Sequence, residues 1–231
     1  MRKICIYVLL FGLLSITGCE DSNNIINSPK SIDGLSLLGL SNGRTFVYLQ
    51  TDTVVTANPF TVSVSDTTCT ITITGSGDDW IISEGTTKII NLKVGASSII
   101  QNGYWTNINS QDSLIYFAAP PVLMERTLAT GLSWQYYTPF YKPTGTPTYF
   151  PFYIANFGFQ VVKSYSGIEN IITPAGEFDT YRYDLELYTT AFGDSPVAVI
   201  AEYFVPNIGL VRQDFNNGAL RSSIILANYS N

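Results

Sequence analysis

The chain has 231 residues and no histidine, so its capacity for chemistry rests on carboxylates, tyrosines, serines and a few cysteines. Histidine is the usual general base near neutral pH and the commonest metal ligand, so Ser-His-Asp and Cys-His mechanisms and most zinc chemistry are excluded. No lysine follows a serine by three positions, which removes the Ser-x-x-Lys acylation motif. Gly131-Leu132-Ser133-Trp134-Gln135 falls one glycine short of a nucleophile elbow and reads as a turn leading into a strand. Paired carboxylates about 5 to 9 Å apart across a cleft hydrolyse glycosides without histidine. The acids gathered around one turn and strand are Glu177, Asp179, Asp184 and Glu186. Asp184 and Glu186 share a face with Arg182, which reads first as a charge-balanced solvent face. Asp78-Asp79 lie in the turn "GSGDDW" without the spacing of a calcium loop. No metal-ligand set and no cofactor is expected.

Aromatic side chains offer a different chemistry. They are dense from Trp134 to Tyr141 and again from Tyr149 to Tyr153. Trp134, Tyr136, Tyr137, Phe140, Tyr141 and Phe152 could line a site for an apolar or sugar ligand, or form core beneath a proline-rich loop. Cys69 sits in the alternating stretch "TTCTITIT" with no basic neighbour in sequence, so it reads as a small buried hydrophobe and not as a reactive thiol.

Cys19 is the cysteine whose setting has a direction. Arg2 and Lys3 precede the apolar run Ile4 to Leu14, and small or β-branched residues lead to Ile16-Thr17-Gly18-Cys19. This is the layout of an export signal, too short and too interrupted for the roughly 20 apolar residues of a membrane span. The tetrapeptide closely resembles the bacterial lipobox, with Ile16 where leucine is usual. That resemblance implies lipid, such as palmitate, on Cys19 and cleavage before it. Two or more acyl chains anchor stably, at about 0.8 kcal/mol per buried methylene. Residues 19–33 then read as a flexible polar tether of at most roughly 50 Å, leaving 34–231 as one domain.

Loss of residues 1–18 removes two basic side chains and leaves ten against 18 acidic ones, a net charge of −8. Nucleic-acid binding needs basic clusters that this chain lacks. From Arg44 onward the composition is β-branched and aromatic, punctuated by glycine, proline and asparagine, with no sustained 3.6-residue period. The expectation is an all-β fold after a signal-peptide helix, an antiparallel meander with at most one short helical turn, near Pro121 to Leu128. Strands are predicted near Arg44–Val55, Phe60–Ser65, Cys69–Thr74, Trp80–Ser83, Lys88–Val94 and Ser113–Ala118. In the C-terminal half, Tyr181, Tyr183, Leu185 and Leu187 alternate with Arg182, Asp184 and Glu186, one face apolar and one solvated. Turns are expected at Thr173-Pro174-Ala175-Gly176, at Pro206-Asn207 and at Asn217-Gly218. "LSNGRTFVY" (40–48) and "LATGLSWQY" (128–136) echo one another, as a duplicated unit or as coincidence.

The closing segments "IITPAGEFDTYRYDLELY" and "EYFVPNIGLVRQDF" resemble a broad group of uncharacterised bacterial envelope lipoproteins. In these, a Thr-x-Pro-Ala-Gly-x-Phe turn and strand precede Tyr-x-x-Pro-x-Ile/Val-Gly-Leu-Val. The matching residues are Pro174, Ala175, Gly176, Phe178, Tyr203, Pro206, Ile208, Gly209, Leu210 and Val211. They are turn-formers and core residues, so the resemblance implies a fold: an open barrel or half-barrel, distantly like carriers of acyl chains. The expected function is that of a non-enzymatic, membrane-tethered envelope lipoprotein that binds an apolar ligand or partner protein, or is structural. A carbohydrate-active hydrolase is the alternative. The expected address is the cell envelope, the outer membrane in preference to the inner, with the leaflet open.

Overall fold

Fifteen strands and one helical turn account for most of the residues described by this computed structural model, which are 32–57, 60–108, 110–117, 120–129, 132–138, 159–188 and 194–230. In chain order they are β1 (Ile32–Asp33), α1 (Gly34–Leu37), β2 (Arg44–Ala57), β3 (Phe60–Ser76), β4 (Asp79–Glu84), β5 (Thr87–Val94), β6 (Ser98–Ile108) and β7 (Gln111–Tyr116). There follow β8 (Val122–Glu125), β9 (Thr127–Leu128), β10 (Ser133–Thr138), β11 (Phe159–Thr173), β12 (Gly176–Tyr188), β13 (Ala198–Val205), β14 (Gly209–Asn216) and β15 (Leu220–Tyr229).

Thirteen strands form one antiparallel sheet in the order β10-β11-β12-β13-β14-β15-β2-β3-β4-β5-β6-β7, with β8 beside β6. The sheet does not close, since β10 and β7 are its two ends. Successive strands pair with their sequence neighbours because short turns can join only antiparallel strands. The long-range step is β15 on β2, which brings the C-terminus beside the first long strand.

Side chains alternate across each strand, so one face of the sheet must supply the whole core. Phe46 and Tyr48, Cys69 and Ile71, Tyr183 and Leu185, and Ile200, Val211, Ile224 and Leu226 all belong to one buried cluster. The same cluster includes Val94, Ile99 and Met124 from the other flank of the sheet, so the sheet curls around its own inner face. Curling needs local breaks in register, which occur between Tyr165 and Gly167, Tyr203 and Phe204, Leu226 and Asn228, and Asn91 and Leu92.

Several expectations are met in altered form. The stretches near Phe60–Ser65 and Cys69–Thr74 are one continuous strand, β3. Ser98–Ile108, not predicted, is a strand carrying the buried Ile99 and Tyr104. The region Pro121 to Leu128 is not helical: Val122–Glu125 and Thr127–Leu128 are strands, because β8 finds the edge of β6 and β9 finds β1. The helical turn lies instead at Gly34–Leu37, capped by Asp33, whose carboxylate accepts from the Leu35 N–H at 3.0 Å.

The predicted turns occur. Pro174-Ala175 joins Thr173 to Gly176, and the Thr173 hydroxyl oxygen accepts from Ala175 N at 3.1 Å. Asn217-Gly218 forms a three-residue loop with Ala219 instead of a two-residue one, with Gly218 at φ 87°. The Asn217 side chain accepts from Leu220 N at 2.7 Å and Ala219 N at 3.2 Å, which holds the wider loop. At Pro206 to Gly209 the turn also receives α1: Asn207 N donates to Ser36 O at 2.7 Å. Both aromatics of the internal echo, Phe46 and Trp134, face the core.

α1 therefore joins the two flanks of the curled sheet. Gly34 N donates to Arg126 O at 2.8 Å on the β8–β9 side, and Leu37 is fully buried between. Arg126 also pairs with Asp33 at 2.6 Å, holding that carboxyl below its usual range. Gly39 ends the segment at φ 59°, where a Cβ would stand 2.0 Å from Ile208 O. Gly39→Ala is expected to cost about 2 kcal/mol or more, from clash and left-handed strain together. Urea denaturation of the variant checks this, with an unchanged midpoint as the contrary result.

Candidate functional site

On the inner face, polar residues interrupt the apolar register of four strands: Lys163 between Val161 and Tyr165, Glu202 between Ile200 and Phe204, Gln213 between Val211 and Phe215, and Gln50 after Tyr48. Alternation forces these side chains inward with their apolar neighbours. The pairing aligns them, since Glu202 lies opposite Tyr183 on one side and Gln213 on the other, and Gln50 lies opposite Ile224.

Lys163 is 4% exposed and Glu202 8%. The lysine reaches across β12, and its Nζ donates to Glu202 Oε2 at 2.6 Å and to Leu123 O at 3.1 Å. The other carboxylate oxygen accepts from Gln213 Nε2 at 3.2 Å. Three rings surround the ammonium, with centroids 5.2 Å (Tyr183), 5.4 Å (Phe204) and 5.8 Å (Trp134) from Nζ. Cation–π attraction is strongest where the cation has lost its water, as here. The rings also pack on one another, with Tyr183 5.4 Å from Tyr165, 5.9 Å from Phe204 and 6.1 Å from Trp134.

Trp134 belongs to this inner box, and its indole N–H donates to Val122 O at 3.2 Å. Tyr136 and Tyr137 lie on β10, while Phe140, Tyr141 and Phe152 lie outside the described residues. A role for these six in ligand contact remains a proposal. The turn residues Pro174, Gly176, Pro206, Gly209, Asn217 and Gly218 lie in turns or at strand ends, and none is among the hydrogen-bond partners of Lys163 or Glu202. Cys19 precedes the described residues.

Sequence reading missed Lys163, Glu202, Gln213 and Gln50. The available signal was a charged or amide residue in the apolar register of strands that otherwise alternate cleanly. Tyr183 is fully buried, and its hydroxyl finds no protein partner among the described residues. Burial, with Tyr165 and Glu202 nearby, pushes its ionisation well above the ordinary tyrosine value of 10.0.

Several other ionisable groups are engaged elsewhere. Arg182 bonds Glu169 at 2.9 Å and Asp184 at 3.0 Å on the outer face, and Glu186 accepts from Tyr188. Burial pushes the Cys69 thiol up to about 12, aided by Glu84, so it is an unreactive core residue. An open groove of about 340 Å³ borders α1, but its Arg44 is engaged with the carbonyls of Gly39 and Asn207. Among the described residues no group of three or more Cys, Asp or Glu could hold a metal ion, and no helix is long and apolar enough to cross a membrane.

No family model matches the chain, and no curated protein matches it. Similar solved structures do exist. A candidate lipoprotein from Parabacteroides distasonis ATCC 8503 is 13% identical, with a TM-score of 0.42, covering 87% of this chain and 100% of that one. A candidate exported protein with a YmcC-like fold from Bacteroides fragilis NCTC 9343 is 10% identical, with a TM-score of 0.36 and the same coverage. A β-barrel-like protein of a domain of unknown function from Brucella abortus is 7% identical, with a TM-score of 0.43, covering 83% of this chain and 98% of that one. At such scores the similarities carry no argument about site or activity.

The inner box is open to two tests. Breaking a buried ion pair leaves one charge unpaired, so Lys163→Met or Glu202→Leu alone should cost about 3–5 kcal/mol, and the double variant should recover most of it. A double-mutant cycle in urea measures this, and additive single effects would refute it. For Tyr183, the raised folded value means its contribution to stability is complete below pH 10 and is lost as pH rises beyond it. Tyr183→Phe should remove that alkaline slope and, because the hydroxyl is unpartnered, be neutral to about 1 kcal/mol stabilising at pH 7. Denaturation midpoints across pH 7–11 test both halves.

Proposed function

We propose that this protein is a lipid-anchored, non-enzymatic β-domain of the bacterial envelope that works by binding a partner protein through its outer surface. The observation that carries this reading is the distribution of charge and apolar area between the two faces of the sheet. Inside, Lys163 and Glu202 neutralise each other, and both oxygens of Glu202 are taken. That leaves Glu202 poorly placed to act as an acid or base on a substrate. Outside, Phe60, Val62 and Val64 are 74%, 54% and 61% exposed, on a domain that has an apolar interior in which to bury such residues. Exposed apolar groups in one patch mark interaction surfaces.

The anchor is proposed from Ile16-Thr17-Gly18-Cys19 and the basic and apolar residues before it. The hydrolase alternative gains no support from Asp184 and Glu186, whose strand positions alternate with the buried Tyr183, Leu185 and Leu187. Both therefore face outward.

The test is fractionation of cells expressing the full chain with and without Cys19→Ser. The parent should sediment with membranes and incorporate labelled palmitate, and the variant should do neither. Equal sedimentation of the two forms, or no label on the parent, would remove the anchor from the proposal.

A further inference from the structure

β3 is longer than the strand beside it. It pairs with β2 from Phe60 to Ile73, but with β4 only from Ile71 to Ser76. The last bond on its β4 side is Gly85 N to Thr70 O, at 2.9 Å. Backbone groups alternate sides along a strand, so the N–H and C=O groups of Phe60, Val62, Val64, Asp66 and Thr68 point to the same side as those of Thr70. No strand among the described residues lies there. All nine side chains from Phe60 to Thr68 are exposed, and no element among the described residues covers either face of this segment. Past Val54, the last β2 residue in register with β15, β2 and β3 run on as a two-stranded ribbon, which is marginal in water. Native edges are blunted by lysine, proline or bulges. The segment Phe60–Thr68 has no lysine, arginine or proline and keeps regular register with β2 throughout.

We propose that this edge docks a second copy of the chain, antiparallel, with Ser63 on the two-fold axis. That register sets the apolar Val62 and Val64 at its centre and the charges toward its ends. Val62 meets Val64 of the second copy, Phe60 meets Asp66, and the outward backbone groups between them pair. The even-numbered side chains share one face with Ala57, Val55 and Thr53 of β2, so both copies contribute to one apolar strip. Self-association of an acidic chain, net −6, requires a contact poor in charge. The only charge on this edge is Asp66. The two Asp66 carboxylates would lie roughly 20 Å apart along the strands, beyond a Debye length of about 8 Å at physiological salt. A centre at Val64 would instead bring the two carboxylates to roughly 13 Å of one another. The interface is small, so the pairing is a weak one that confinement at a membrane would strengthen.

This names one partner for the binding role proposed above and rests on that reading, while its readout, a cross-link at one position, is separate from the Cys19 fractionation. In cells expressing the full chain, Ser63→Cys should give a reducible cross-link at twice the chain mass on mild oxidation. Residues opposite one another in a non-hydrogen-bonded pair stand within disulfide reach. Thr86→Cys, exposed in the β4–β5 turn, is the control for random collision, and the parent chain controls for native thiols. Adding Val64→Lys should abolish the cross-link while the circular dichroism of the purified chain is unchanged, since Val64 is exposed. Cross-linking no stronger than the Thr86→Cys control, persistence with Val64→Lys, or an adduct of another mass would each overturn self-pairing. All three outcomes leave the Cys19 fractionation result standing or falling by itself.

Discussion

With one four-residue helix and no second layer among the described residues, this sheet has only itself to pack against. An open antiparallel sheet with one apolar face must cover that face, and here it does so by curling. The consequences run through the molecule. Register breaks near Gly167 and Phe204 permit the bend. Residues from β5, β6 and β8 join the cluster built by β11 to β15. α1 sits where the flanks approach, bonded to Arg126 on one side and Asn207 on the other.

Curling also explains why the inner polar stripe can exist. Lys163 and Glu202 would each be costly to bury alone, and they become tolerable because strand order places them on either side of β12. Their geometry ties register to stability. A one-residue slip of β11 against β12 would turn Lys163 outward and leave Glu202 without its cation. The aromatic box around the ammonium adds packing that an apolar substitute could match only in shape. This arrangement organises the sheet.

The two faces differ for a physical reason. Inward residues are constrained by packing density, so polar ones there must be bonded. Outward residues are constrained only by solubility, and β3 departs from that at Phe60, Val62 and Val64. The departure coincides with the length over which β3 outruns β4. Unpaired backbone and three exposed apolar side chains thus coincide on one segment.

What depends on local rules could be read from the residues alone. Alternation at Tyr181 to Leu187 specified a half-buried antiparallel strand, and Pro174-Ala175 and Asn217-Gly218 specified where the chain reverses. The absence of histidine narrowed the chemistry independently of any fold. Boundaries were less legible. The polar middle of β3 at Ser65-Asp66-Thr67 looks like a loop, yet pairing with β2 holds it extended as part of one continuous strand. Pro121 to Leu128 likewise has no periodicity of its own, and only the edges of β6 and β1 make it strand. It took the tertiary structure to decide that Lys163 meets Glu202, 39 residues away, and that Trp134 packs over them. Parity along a strand is written in the residues themselves, but partnership between strands follows from sheet order and curvature, which no local stretch encodes.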